Sequence, residues 1–168
     1  MAAIDIDIAV EAEGWPPEPD LAALCERAVA AAADHLETYE GQPFPDVAAE
    51  LSIVFTDDAT IRELNGRWRE KDKATNVLSF PAFPVTPGML PGPMLGDLVL
   101  ARETIEIEAG DLRISLEAHL THLLVHGFLH LLGYDHLVEA EAEAMEALET
   151  RILATLGLSD PYEGTDPA

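Results

Sequence analysis

Positive charge is scarce in this sequence. Nine lysines and arginines stand against 32 aspartates and glutamates, a formal net charge of −23 over 168 residues. A surface so negative repels a phosphate backbone, which disfavours charge-driven, unspecific binding to nucleic acid. Cysteine is nearly missing too: Cys25 stands alone. That excludes an internal disulfide and fits a reducing cytosol, so a cytoplasmic location is expected. No apolar run approaches the ~18–20 residues that cross a bilayer. The opening stretch, MAAIDIDIAV, has acid where a signal peptide needs Lys or Arg, and no secretion signal is expected.

What remains is ordinary globular material. Hydrophobic residues make up 48% and charged residues 24%, which argues against wholesale disorder. The length suits one domain on a prior of roughly 100–200 residues, enough to bury a core without staples. There is no internal repeat, low-complexity block or linker. Residues 1–160 are expected to form a single domain, and 161–168 a flexible tail.

Residues 4–10, IDIDIAV, alternate apolar and acidic, the period-2 pattern of a half-buried strand. Asp20 is placed to cap an Ala-rich helix with an apolar stripe at Leu21, Leu24, Ala28 and Ala32. Residues 47–56 read as a second strand, and Asp57 or Asp58 as the cap of a short helix. TNVLSFP is β-rich and stopped by Pro81. Residues 82–94 hold four prolines and two glycines, hence an exposed loop. LGDLVLA reads as a further strand and 102–109 as a helix. Leu116–Leu132 is a long apolar helix carrying four histidines, ended by Gly133. Residues 138–156 form an amphipathic helix with acids on its outer face. Interleaved strands and helices predict one α+β domain with a small mixed sheet packed by helices.

The sharpest signal is HGFLHLLGYDH, residues 126–136. Positions i and i+4 share a helix face, so His126 and His130 point the same way. Gly133 lets the chain turn back and bring His136 to the same point. Three imidazoles leave a fourth position open for water, the arrangement of catalytic zinc. Imidazole also suits Ni, Cu or Fe, which leaves the metal open among divalent ions. His119 and His122 extend the stripe within roughly 80° on the helix wheel and read as packed side chains, with outer hydrogen bonding to the metal site or substrate contact as the other reading. His35, alone on the Ala-rich helix, reads as surface. Asp135 reads equally as a turn residue or as a group that orients an imidazole or handles a proton.

The same spacing serves metzincin peptidases, which carry Glu directly after the first His as general base. Here that position is Gly127, which cannot accept a proton, so a metallopeptidase is the weaker reading. Hydrolysis can still run on metal-acidified water, and a neighbouring guanidinium that grips two oxygens makes the pair suited to phosphoryl chemistry. Five of the nine bases, Arg62, Arg67, Arg69, Lys71 and Lys73, fall between positions 62 and 73. They form one electropositive spot suited to an anionic group, unless they only balance Glu63, Glu70 and Asp72.

HGFLHLLGYDH closely resembles the YbeY family of bacterial endoribonucleases and rRNA maturation factors. LNGRWREKDKATNVLSFP and LGDLVL upstream and EAMEALETRIL downstream carry the resemblance further, over about residues 51–162. It implies a mixed β-sheet packed with helices and a zinc ion on the family's three histidines, which fall on His126, His130 and His136. It implies endonuclease action on single-stranded RNA, with roles in maturing the 3′ end of 16S rRNA and in ribosome quality control. The family's functional arginine falls on Arg69, and Arg67, Lys71 and Lys73 become RNA-contact neighbours. Two features depart from the pattern: Ala74 stands where proline is common, and the net charge is extreme for an RNA-processing enzyme. That charge makes delivery by the small ribosomal subunit or its proteins the expected route to RNA, with no membrane and no organic cofactor involved. A non-catalytic ribosome assembly factor with a structural metal is the competing expectation.

Overall fold

The alternation in IDIDIAV becomes β1, Ile4–Val10, whose isoleucines turn toward the core while Asp5 and Asp7 face solvent. This is a computed structural model; it describes residues 3–69, 75–135 and 137–161, with the Arg69 side chain outside that description. β1 pairs in parallel with β2, Ala49–Thr56, and β2 in parallel with β4, Met94–Ala101. β3, Val77–Pro81, closes the far edge antiparallel to β4. The sheet order is β1-β2-β4-β3. Pro81 sits at the end of the edge strand, where a missing N–H costs no ladder bond.

Five helices accompany this sheet among the described residues. They are α1 Glu18–Tyr39, α2 Asp58–Arg69, α3 Arg102–Leu112, α4 Leu116–Leu131 and α5 Glu139–Thr155. Asp20 does not cap α1, contrary to expectation. Pro17 precedes the first turn and its carbonyl accepts the N–H groups of Asp20 and Leu21, so the helix starts earlier and Asp20 lies inside its first turn. Pro19 sits inside the first turn, where its missing N–H leaves no helical hydrogen bond unmade. Asp57 does cap α2, its Oδ1 accepting the Thr60 N–H at 2.8 Å. Asp58 ties α2 to α3 instead: its Oδ1 accepts from the Thr104 N–H and hydroxyl, while Glu103 accepts the Asp58 N–H.

The main core lies between one face of the sheet and α1, α4 and α5, with Phe55, Leu98, Leu124 and Phe128 fully buried. The predicted α1 stripe, Leu21, Leu24, Ala28 and Ala32, is all inside. A smaller cluster of Ile61, Leu78, Val99 and Ala101 lies under α2. His35 is not a surface residue: it is 9% exposed, its ring 4.9 Å from that of Tyr39. The Ala-rich helix packs so closely that its neighbours cover even a polar ring. Residues 82–93 are largely exposed, yet the buried Gln42 pins them, accepting the Gly88 N–H at 3.0 Å and donating to the Met89 carbonyl at 2.9 Å. No helix among the described residues is long and apolar enough to cross a membrane.

Candidate metal centre and cleft

Ser115 starts α4, its hydroxyl accepting the Ala118 N–H at 3.0 Å. The helix then buries its apolar residues against β3, β4 and its neighbour helices. It stops in a paired turn: the Gly133 N–H bonds the His130 carbonyl and the Tyr134 N–H bonds the Leu129 carbonyl. Gly133 has φ +98°, and a Cβ there would lie 2.3 Å from the Val85 carbonyl oxygen. Both the backbone and the crossing loop therefore demand glycine.

Just before this ending, two imidazoles one helical turn apart face each other. The Nε2 atoms of His126 and His130 lie 3.0 Å apart, with ring planes at 85°. The Nδ1 of His130 donates to the Tyr134 carbonyl at 2.8 Å, and a carbonyl can only accept. The Nδ1 of His126 donates to the Glu149 carboxylate. A neutral imidazole protonated at Nδ1 presents a lone pair at Nε2. Two lone pairs thus converge, which is repulsive unless a cation lies between them. The donor set fits a metal ion, with each ligand ring steadied by a hydrogen bond at its far nitrogen.

Glu149 departs from the outward acidic face expected of 138–156. It is fully buried among Met145, Leu148 and Ile152. Burial works to raise its carboxyl, yet hydrogen bonds from His122 and His126 hold it down to about 2. The signal was present in the sequence: position 149 falls on the i, i+3, i+4 apolar stripe of α5. His122 reaches the other carboxylate oxygen at 3.5 Å. His122, His126 and Glu149 bring ligand atoms within 4.8 Å of one another and could hold a metal ion. That cluster meets Glu149 through the His126 Nδ1, whereas the His126–His130 pair uses the Nε2 atoms.

Both histidines border a cleft of about 690 Å³, whose wall includes Asn65, residues 75–79, Pro81, Pro84, Val85 and Tyr134. That volume lies in the range of small-ligand sites, ~300–1,000 Å³. Asp135 lines the same cleft, as does Leu137. Gly127 packs on β4: a Cβ there would meet Leu98 Cδ2 at 2.8 Å and Ser79 Oγ at 3.4 Å. A glutamate base at that position would have to displace Leu98 from the core.

His119 and His122 are 4% exposed and half-buried respectively. His119 Nε2 donates to Glu108 at 2.9 Å. Of the basic stretch, Arg67 is exposed and paired with Glu63 at 3.3 Å, so part of that charge is balanced locally. Arg69 ends α2. Its side chain, together with Lys71, Lys73 and His136, lies outside the described residues.

The family profile described as Endoribonuclease YbeY matches residues 10–157. The protein named Endoribonuclease YbeY from Rhizobium johnstonii is 67% identical over 166 residues, covering 99% of this chain and 97% of its own length. Its namesake from Agrobacterium fabrum is 67% identical over 167 residues, 99% of each chain. The solution structure of TM1509 from Thermotoga maritima superposes with a TM-score of 0.54 at 22% identity, over 96% of this chain and 99% of that one. That likeness bears on the fold alone. The length and identity of these matches, with the histidine helix and its glycine turn, show that the chain belongs to the YbeY family.

Proposed function

We propose that this chain is a zinc-dependent endoribonuclease that cuts single-stranded RNA during rRNA processing, at the 3′ end of 16S rRNA and in ribosome quality control. The observation that carries the reading is the pair of Nε2 lone pairs facing each other at 3.0 Å on the border of the cleft. Membership in a family whose relatives are named endoribonucleases supports it.

His126, His130 and His136 would hold one zinc ion. A bound zinc supplies Lewis acidity toward a phosphoryl oxygen and lowers the pKa of water. Arg69 grips the non-bridging oxygens of the phosphodiester through its planar guanidinium, which favours charge developing there. Arg67, Lys71 and Lys73 hold the neighbouring phosphates. Asp135, beside the third histidine in sequence, orients that imidazole or carries a proton between water and the leaving oxygen.

The net charge of −23 favours delivery to RNA by the small ribosomal subunit or its proteins, and the same charge favours the second reading, an assembly factor with a structural metal. A metallopeptidase finds no support, because the position of its base is Gly127, packed on Leu98. The test is elemental analysis of purified protein, followed by cleavage of a labelled single-stranded RNA with and without chelator. Stoichiometric zinc and chelator-sensitive cleavage are expected. Chelator-insensitive cleavage by metal-free, folded protein would overturn the hydrolytic role of the metal, and metal without cleavage would favour the assembly factor.

A further inference from the structure

Away from the His126–His130 pair, α4 carries a second polar connection to the cleft. Glu108, on α3, sits between two rigid partners. Its Oε1 accepts the His119 Nε2–H at 2.9 Å and the Asn76 Nδ2–H at 3.1 Å, and its Oε2 lies 3.3 Å from the same Asn76 nitrogen. His119 has a side chain only 5% exposed, so its ring has little freedom. It stands seven residues before His126 on the same face of α4. Asn76 is held on its other side as well. Its Oδ1 accepts the Val77 N–H at 2.7 Å, and its carbonyl accepts the Ala101 N–H at 2.9 Å.

Asn76 is also cleft wall, together with Thr75 and Val77. In sequence it follows Lys73, the last of the five clustered bases, by three residues. The Glu108 carboxylate therefore joins the histidine helix to Asn76, the residue just before β3. A carboxylate so near an RNA site would repel phosphate if it faced it. Here its oxygens are taken up by an imidazole and an amide.

We propose that Glu108 is a positioning residue for RNA cleavage: bridging His119 and Asn76, it holds the cleft wall at Asn76 at a set distance from His126 and His130. The inference rests on the endoribonuclease reading given above. An error of ~1 Å in such a wall can cost on the order of 100-fold in rate.

The test compares Glu108→Leu, Glu108→Gln and His119→Leu in the full chain loaded with zinc. A fluorescein-labelled single-stranded RNA serves as substrate, and binding of the same RNA to chelator-treated protein is followed by anisotropy. Leucine at 108 removes both acceptors, whereas glutamine keeps an Oε1 that can accept from both partners and gives up only the longer Oε2 contact with Asn76. Glu108→Leu and His119→Leu are each expected to lower kcat/KM by on the order of tenfold and to weaken RNA binding by the metal-free chain, with zinc content and folded fraction retained. Glu108→Gln is expected to stay within about twofold of wild type, since its acceptor remains. Wild-type cleavage and binding by Glu108→Leu would overturn the proposal. So would an equal loss in Glu108→Gln, or losses that track only the unfolded fraction. If leucine at 108 does not fold, the glutamine variant and His119→Leu decide the matter. If the wild type cuts no RNA, the endoribonuclease reading falls, and the anisotropy comparison still decides the role of Glu108.

Discussion

The imidazole of His126 hands its Nδ1 proton to a hydrogen bond with Glu149, across the packed faces of α4 and α5. The carboxylate is fully buried, in a stripe otherwise made of Met145, Leu148, Ile152 and Leu153. An ion so placed costs free energy unless hydrogen-bonded, and here two histidines satisfy it. The bond sets the tautomer of His126 and turns its Nε2 toward the cleft. Glu149→Gln keeps the shape and removes the charge. It is expected to weaken zinc affinity by about 10–100-fold, as loss of such a supporting hydrogen bond does elsewhere. A competition titration against a chromogenic zinc chelator measures this, and unchanged affinity would remove the orienting role.

His130→Ala takes away one of the two facing nitrogens while leaving the Gly133 turn intact. Zinc per chain is expected to fall close to zero in elemental analysis, with circular dichroism unchanged. Full zinc occupancy in this variant would mean that the ion sits instead at His122, His126 and Glu149.

Arg69→Glu reverses the charge assigned to the scissile phosphate. Cleavage of single-stranded RNA is expected to disappear while zinc remains bound, because no metal ligand has changed. Cleavage at the normal rate would end the phosphate-gripping role of Arg69.

Gly133→Ala forces a Cβ to within 2.3 Å of the Val85 carbonyl oxygen, at φ +98°. Strained backbone and a steric clash together are expected to cost about 2 kcal/mol or more. A lower urea midpoint at unchanged slope would register it. Zinc should be lost as well, since the turn that carries the chain to His136 must move.

His35 is expected to make stability fall on the acid side of neutrality. Burial lowers its pKa first, and the Arg151 charge adds to that, with Glu40 acting the other way. Neither ring nitrogen has a hydrogen-bond partner among the described residues. The unfolded chain therefore binds this proton more readily than the folded one. The stability His35 contributes is complete above the unfolded value of ~6.5 and drains away as pH falls below it. Urea midpoints at about pH 7.5 and 5.5 bracket that window, with the carboxylates that fold at lowered pKa, Asp57, Glu108 and Glu149, giving way only below ~4.5. In His35→Leu the drop between the two pH values should shrink. An identical drop in both proteins would show that His35 is not its source.

Most of the fold and part of the site could be read along the chain. The alternation in β1, the apolar stripe of α1, the Pro81 stop and the glycine after α4 are local patterns with local causes. The convergence of His126 and His130 follows from helix periodicity, which needs no tertiary information. Asp20 is a good cap by type, yet α1 starts earlier, because the Pro17 carbonyl already supplies the first acceptor and only the backbone shows it. His35 and Glu149 are buried against expectation for a shared reason. Polar side chains are assigned to the surface by default, and whether a neighbouring helix covers them is a property of packing.

Periodicity and residue chemistry along the chain were enough to specify a helix that carries imidazoles on one face and a glycine that ends it, because both act over a few residues. Which nitrogen of each ring faces the cleft was decided only in three dimensions. The groups that choose it, Glu149 and the Tyr134 carbonyl, reach their histidines through the packing of α5 and the closing of the turn, and a hydrogen-bond partner brought by folding leaves no periodic trace in the sequence.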